Sequence, residues 1–326
     1  MKPLFLLAML WLSLLPLHAQ DFDTHWMAPP SVDSLSHYYF RKTYLFDGRP
    51  HWASVTLNTS GYVKVYVNAC NVGTARYYPV REIGDSRPRR FTLDVTPYLR
   101  KDTNVVAVLF SPVSPNSYNR RMLSVSFYGE DADGNPFCHS SDSDWLCREA
   151  PSGWLPSGGE WMDARLYDPD WNTTETSLAQ WTGVVSVSTV PDARVQQSMS
   201  GSARSRHSEI VNDNATFSQA LWSSYSVDGG WHLQSQYGKR YFDIVGDSVD
   251  YEFGDGFFGQ VRLTLREAHR GEVVHYGPHQ YICSGDLDEQ ACPQFSLETY
   301  RRIRVYSDVR SPRDIVVDIE ALTFVP

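Results

Sequence analysis

The chain has 326 residues, of which 42% are hydrophobic and 13% aromatic, which is enough for packed cores and argues against a disordered chain. The formal net charge of −9 argues against nucleic acid and anionic membranes as partners, because both select basic patches. A chain of this length is predicted to form two domains.

The first residues have the pattern of a targeting signal. Lys2 is followed by an apolar run over residues 4–17, and the expected cleavage site follows Ala19. Residues 1–19 are therefore predicted to be a signal peptide, and the mature protein is expected in the periplasm or outside the cell. No other apolar stretch in the sequence reaches the length of a membrane-spanning helix.

Alternating polar and apolar residues, rich in β-branched and aromatic side chains, dominate the rest of the chain. This pattern predicts an all-β protein with two antiparallel β-sandwiches, jelly-roll-like, in tandem. A polar, small-residue segment separates them, so the predicted order is a sandwich over 20–186, a linker or long loop over 187–214, and a second sandwich over 215–326. The predicted strands are 37–45, 53–57, 62–67, 90–95, 105–110, 122–128, 183–190, 241–245, 249–253, 260–266, 272–276, 302–307 and 315–324.

Four of the five cysteines form two pairs with equal spacing. Cys138 and Cys147 are nine positions apart, as are Cys283 and Cys292. In an exported protein this spacing predicts two local disulfides, and Cys70 is expected to be a buried free thiol. The spacing does not suit a structural zinc site, so no metal is predicted.

Two short motifs resemble ligand sites but have simpler explanations. Gly254-Asp255-Gly256-Phe257-Phe258-Gly259 fits a dinucleotide pattern, yet a strand follows instead of the required helix, so a glycine-bearing turn between two strands is expected. Asp133-Gly134 is predicted to form a hairpin turn. No cofactor is predicted, and calcium at the acidic residues 286–289 stays open as an alternative.

No catalytic residue is predicted. Glycoside hydrolysis needs two carboxyls across the scissile bond. Glu160 and Asp163 are close in the sequence, but a strand places positions i and i+3 on opposite faces. His275 and His279 are separated by Gly277-Pro278, which rules out a metal pair on one helix.

Tryptophan is concentrated between residues 145 and 181. Its rings stack on the apolar faces of sugars, and neighbouring acids and amides can bind hydroxyl groups. Two alternatives stay open: these rings pack loops onto the sandwich, or one or two of them form a sugar platform. Trp154 is the better platform candidate, because its neighbours Ser152, Gly153 and Pro156 are small or turn-forming and cannot cover the ring locally. The candidate carbohydrate-binding residues are Trp145, Trp154, Trp161, Trp171, Glu160, Asp163 and Asn172.

The same stretch resembles the N-terminal sandwich of bacterial alpha-L-rhamnosidases of glycoside hydrolase family 78. The similar motifs are Asp144-Trp145, Gly159-Glu160-Trp161-Met162-Asp163-Ala164-Arg165-Leu166 and Asp170-Trp171-Asn172. Upstream segments follow the same order, while Ala69-Cys70 and Pro169-Asp170 depart from the family pattern. Segments 251–259 and 300–305 resemble parts of the family's next sandwich.

The resemblance implies an origin in glycan degradation. The family's catalytic carboxylates lie in a following α/α toroid, and no residue of this sequence aligns with them. We therefore expect an exported, non-catalytic carbohydrate-binding or accessory protein, with a rhamnose-containing glycan and a partner glycoside hydrolase as candidate partners. The alternative is a component or truncated form of an alpha-L-rhamnosidase whose catalytic domain is supplied elsewhere.

Overall fold

A computed structural model describes residues 25–30, 35–73, 77, 88–112, 121–187, 242–244 and 248–323. The predicted signal peptide (1–19) lies outside the described residues, as does the predicted linker (187–214) except for its first residue. Strands make up most of what is described, as the period-two pattern predicts. None of the helices in this part of the chain is long and apolar enough to cross a membrane.

The described residues up to 187 form thirteen strands and three single-turn 3₁₀ helices. The strands are β1 Trp26–Ala28, β2 Ser36–Leu45, β3 Trp52–Thr59, β4 Tyr62–Val67, β5 Cys70–Asn71, β6 Arg89–Asp94, β7 Thr103–Ser111, β8 Leu123–Glu130, β9 Pro136–Ser140, β10 Leu146–Trp154, β11 Glu160–Asp163, β12 Thr182–Gly183 and β13 Val185–Val187. The 3₁₀ helices are Thr96–Tyr98, Ala164–Leu166 and Leu178–Gln180.

The described residues from 242 onward form seven strands and one short α-helix. The strands are β14 Phe242–Ile244, β15 Ser248–Arg266, β16 Val273–Tyr276, β17 His279–Ile282, β18 Asp288–Ala291, β19 Glu298–Ser307 and β20 Val316–Thr323. The helix α1 covers Pro312–Ile315.

The first sandwich packs one antiparallel sheet on another. The first layer has the order β13-β1-β8-β3-β6, with β9 added beside β8, and the second has the order β10-β2-β7-β4-β5. Alternate side chains from both layers meet in one core that includes Phe40, Val55, Val65, Phe110 and Phe127. Strands β2 and β7 are buried at most positions, because the outer face of the second layer is covered as well.

The second sandwich is built around the long strand β15. Its first half pairs with β14 and β19, and its second half pairs with β18 and β20, so one strand contributes to both layers. The register shifts between Glu252 and Phe257 where the strand changes layers. The expected turn at Gly254 and Gly256 is therefore wrong: these glycines lie in a bulge within a continuous strand, which bends it without ending it.

One parallel strand pair joins the two sandwiches. The four-residue β11 pairs antiparallel with β10 of the first sandwich and parallel with β17 of the second. The second layer of the first sandwich therefore continues without a break through β17, β16 and β19. The other pairings among the described strands are antiparallel, as expected for this fold class.

The predicted Cys138–Cys147 disulfide is wrong, because both thiols are free. Cys138 is exposed on β9, while its neighbours Phe137 and His139 lie on the face that contacts Phe127. Cys147 lies in the core on β10, in the opposite layer. The two side chains therefore point in the same direction from layers about 10 Å apart, which no disulfide can span.

The predicted Cys283–Cys292 disulfide is also wrong, because neither cysteine takes part in a disulfide. Cys283 follows β17, which pairs with β16, whereas Cys292 follows β18, which pairs with β15 in the other layer. Cys70 is free, as predicted, but it is exposed rather than buried. It stands directly after a two-residue turn at the edge of the sheet.

The hairpin predicted at Asp133-Gly134 is confirmed, since it connects β8 to β9. Asp131 stabilises this turn by accepting hydrogen bonds from the backbone N–H groups of Asp133 and Asn135. Among the described residues, no group of three or more His, Cys, Asp or Glu side chains has an arrangement that could hold a metal ion.

The turn between β4 and β5 contains a strained alanine. Asn68 and Ala69 both have positive φ, 52° and 71°, as a type I′ hairpin requires. Asn68 is anchored because its side chain bonds Tyr98 O, Asn104 Oδ1 and Val105 N. Ala69 is exposed and has no such compensation.

We expect Ala69→Gly to stabilise the protein by about 0.5–1 kcal/mol, because relief of the left-handed strain exceeds the entropy that glycine loses on folding. Urea denaturation measures the change. Ala179→Gly, at an exposed alanine without positive φ, is the matched control and is expected to be neutral or destabilising. A loss of stability in Ala69→Gly would contradict the strain argument.

Candidate functional site

Three of the four candidate tryptophans are packing residues. Trp145 is fully buried in the first core. Trp154 is 6% exposed, and its Nε1 donates to Ser111 Oγ at 3.0 Å and Pro112 O at 2.9 Å. The expectation that Trp154 stands open to solvent is wrong, because residues distant in the sequence cover a ring that its small neighbours leave uncovered.

Trp171 and Asn172 belong to a segment that covers the outer face of the second layer of the first sandwich. Trp171 stacks on Tyr39 with ring centroids 4.1 Å apart and lies edge-on to Tyr66. Arg41 fixes the segment by donating to the carbonyls of Trp171 and Thr173. Asn172 is buried, and its Oδ1 has no hydrogen-bond partner in the described part of the chain.

Glu160 holds the two sandwiches together. Its Oε2 accepts the backbone N–H of Gln294 at 2.8 Å, and its Oε1 accepts the N–H groups of Phe295, at 2.8 Å, and Ser296. The side chain is buried, and burial raises the pKa of Glu160 while the three N–H donors and Lys64 oppose the rise. We call this arrangement the Glu160 clamp.

Further polar contacts extend the clamp on both sides. Lys64 Nζ donates to Gln294 Oε1 at 2.5 Å, which ties β4 to the same loop. The backbone N–H of Glu160 donates to His279 Nδ1 at 3.0 Å, so Nε2 carries the ring proton and donates to the Tyr300 hydroxyl at 2.8 Å. Burial lowers the pKa of His279 to about 3, which keeps the ring neutral.

The family-like segment from Gly159 to Arg165 is a structural joint. A Cβ at Gly159 would lie 1.8 Å from Pro278 O, so only glycine allows this close approach. Asp163 accepts the Arg165 backbone N–H and forms a two-point ion pair with the same residue, with its Oδ2 at 2.7 Å from Nη2. The arginine and these bonds lower the pKa of Asp163. Met162 and Ala164 pack against the second core.

A shallow cleft of about 10 Å³ lies beside the clamp. Its lining includes Ser152, Met162, Tyr276, Cys292 and Gln294. This volume is below the range of most small-molecule sites, about 300–1,000 Å³. The cleft is therefore too small to enclose an oligosaccharide.

Trp161 is the candidate residue that stays partly exposed. It alternates with Glu160 and Met162 on β11, so its side chain leaves the sheet on the opposite face from the clamp. A Cβ at Gly153 would lie 2.9 Å from Trp161 Nε1, which shows that the indole rests over this glycine of β10. Among the seven candidates, Trp161 is the ring with a surface available to a ligand.

The structure adds residues that the sequence did not identify. Glu160 and the loop it binds are 134 to 136 positions apart, and no local pattern connects them. The partners Lys64, Gln294 and His279 were therefore missed. The spacing of Gly159, Glu160 and Asp163 within one motif was the available signal that this strand is a joint.

Comparison with known families and structures gives a consistent result. Residues 48–207 match the family described as the alpha-L-rhamnosidase N-terminal domain. No curated protein matches the chain.

Three solved alpha-L-rhamnosidases are similar in fold. The Dictyoglumus thermophilum structure has 15% identity and a TM-score of 0.68, and the match covers 94% of this chain and 36% of that one. The Aspergillus terreus structure has 16% identity and a TM-score of 0.67, covering 93% and 36%. The Streptomyces avermitilis enzyme, solved in complex with L-rhamnose, has 17% identity and a TM-score of 0.62, covering 89% and 28%. At this identity the likeness shows the fold alone, and the chain spans about a third of the length of these enzymes.

We expect Glu160→Gln to destabilise the protein by at least about 2 kcal/mol, because an amide nitrogen would face backbone N–H donors that now bind a carboxylate. Urea denaturation checks this value. Glu175→Gln, at an exposed glutamate, is the matched control and should change stability by less than about 0.5 kcal/mol. Equal effects from the two substitutions would mean that the clamp contributes little.

We expect the folded protein to lose stability in acid because two of its histidines are buried and neutral. Burial lowers the pKa of His37 and of His279 to about 3, against about 6.5 in an unfolded chain. The unfolded state therefore binds more protons below pH 6.5, and stability falls by about 1.4 kcal/mol per pH unit for each histidine until the folded pKa is reached. Unfolding free energies between pH 7 and pH 5 should show this slope.

The control for this slope is His51→Gln, at an exposed histidine, which should leave it unchanged. NMR titration provides an independent check, since the ring protons of His37 and His279 should not titrate in the folded protein above pH 5. A stability that stays flat from pH 7 to pH 5 would contradict the neutral buried rings.

Proposed function

Since residues 48–207 match the family described as the alpha-L-rhamnosidase N-terminal domain, we propose that this protein is an exported, non-catalytic accessory protein of glycan degradation that binds carbohydrate. This match supports the link to glycan degradation. The pattern of residues 1–19 supports export.

The Glu160 clamp is the observation that carries the non-catalytic part of the proposal. Retaining and inverting glycosidases need two carboxyls about 5–10 Å apart across an open site. Glu160 is committed to three backbone donors inside the joint, and Asp163 is committed to Arg165 on the opposite face of β11. Glu160 therefore joins the two sandwiches, and Asp163 holds the local turn at Arg165.

A second candidate is a component of an alpha-L-rhamnosidase whose catalytic domain is supplied elsewhere. The observation that favours it is the likeness in fold to three solved alpha-L-rhamnosidases. In that case a partner glycoside hydrolase would provide the chemistry. The joined sandwiches would then act as a rigid support for that partner.

We expect the purified mature chain to bind glycans on an array that includes rhamnose-containing oligosaccharides, and to release no aryl group from an aryl alpha-L-rhamnoside above background. The physical reason is that the motif carboxylates have no shared opening in which to act. The mass of the mature protein, beginning at Gln20, checks export.

Asp163→Asn tests the catalytic alternative at an acid outside the clamp. Turnover that Asp163→Asn abolishes at an unchanged melting temperature would place chemistry in the sandwich and overturn the non-catalytic proposal. An array without any binding would overturn the carbohydrate-binding part. Turnover that appears only when a separate glycoside hydrolase is added would favour the second candidate.

A further inference from the structure

We propose that four residues on the outer face of the joining sheet, Trp161, Gln280, His275 and Tyr306, bind a neutral oligosaccharide laid across the strands. This inference rests on the proposed carbohydrate-binding function and gives it a site and a ligand class. We call these four residues the cross-strand row.

The strand register brings the row together. Trp161 of β11 is paired with Gln280 of β17, Gln280 with His275 of β16, and His275 with Tyr306 of β19. Residues that are directly opposed on neighbouring strands project from the same face of a sheet. The four side chains therefore form one line that crosses four adjacent strands.

The opposite face of the same strands is buried. Val274, Tyr276, Tyr281 and Val305 alternate with the row and pack in the second core. The row residues themselves are half-buried or exposed, and Tyr306 is 43% exposed. The row is thus the solvent side of a sheet whose other side is fully packed.

The chemistry of the row suits sugars. His275 and Tyr306 stack with ring centroids 4.4 Å apart and planes within 9° of each other. The other face of Tyr306 is directed toward β15, where its register neighbour is Ser248, a residue with a small side chain. Aromatic faces stack on the C–H faces of sugar rings, while the Gln280 amide and the Tyr306 hydroxyl can bind sugar hydroxyls.

Charge around the row favours a neutral ligand. Burial lowers the pKa of His275 against the opposing effect of Asp308, so the ring is uncharged at neutral pH. Beside Tyr306 on the same face, Arg304 pairs with Asp250 at 2.9 Å and Arg302 with Glu252 at 2.6 Å. Both arginines are thus neutralised by acids, and Asp308 beside His275 is itself acidic, so the surroundings of the row do not select an acidic sugar.

The length of the row indicates more than one sugar unit. Neighbouring strands lie about 4.8 Å apart, so three intervals from β11 to β19 span about 14 Å. A single sugar ring is shorter than this span. The row therefore fits an oligosaccharide whose units contact Trp161 at one end and Tyr306 at the other.

The experiment uses the full mature chain and the neutral oligosaccharide with the strongest array signal, titrated calorimetrically as mono-, di- and trisaccharide. We expect affinity to rise with length, and Trp161→Ala and Tyr306→Ala each to weaken trisaccharide binding at least about tenfold. Tyr306→Phe should retain most of the binding because it keeps the ring. Tyr167→Ala is the matched control, since Tyr167 is a tyrosine of similar exposure, 47%, outside the row.

Thermal melts of every variant separate binding from folding, and Tyr306→Ala is expected to unfold within a few degrees of wild type. The site is overturned if wild type binds and folded Tyr306→Ala and Trp161→Ala bind equally well, in which case the proposed function stands with another site. Stronger binding of a uronate-containing analogue would overturn the neutral ligand class. If wild type binds no glycan, both the proposed function and this site fail.

Discussion

The buried carboxylate of Glu160 determines how the two sandwiches are placed. A carboxylate in the interior is tolerated only when its lone pairs are satisfied, and here three backbone donors from one loop satisfy it. Removing that loop would leave an unpaired buried acid, so the second sandwich cannot move away without a large cost. Together with the β11–β17 pair and the Lys64–Gln294 bond, this side chain joins the two sandwiches.

The clamp also explains the continuous sheet. Because residues 294–296 are held against Glu160, β17 lies beside β11. The parallel pair can therefore form even though it is short, with three residue pairs. The sheet then has one face that is buried along its whole length, first under the tryptophan-rich segment and then in the second core. Its other face is covered in the first sandwich and is solvent-accessible in the second, where Gln280, His275 and Tyr306 lie.

Local patterns in the sequence predicted the all-β fold and most strands, because period-two alternation reports burial on one face. They failed for contacts between residues that are distant in the sequence. Equal spacing suggested a Cys138–Cys147 disulfide, although the two cysteines lie in different layers. Small neighbours suggested that Trp154 is exposed, although Ser111 and Pro112 cover its ring. The candidate site was found only in part: Trp161 lies in a family-like motif, whereas its neighbours across the sheet depend on register, which no single segment encodes.

The four residues of strand β11 have different roles on the two faces of the sheet. Glu160 and Met162 point toward the packed side and join the sandwiches, while Trp161 and Asp163 point to the other side. The clamp fixes the register of β11 against β17, and that register places Trp161 beside Gln280. A one-residue slip would turn Trp161 inward and bring Glu160 to the surface. Glu160, which holds the domains together, thus also sets the position of the partly exposed Trp161 indole. A change that weakens the clamp would therefore also displace Trp161 in the cross-strand row.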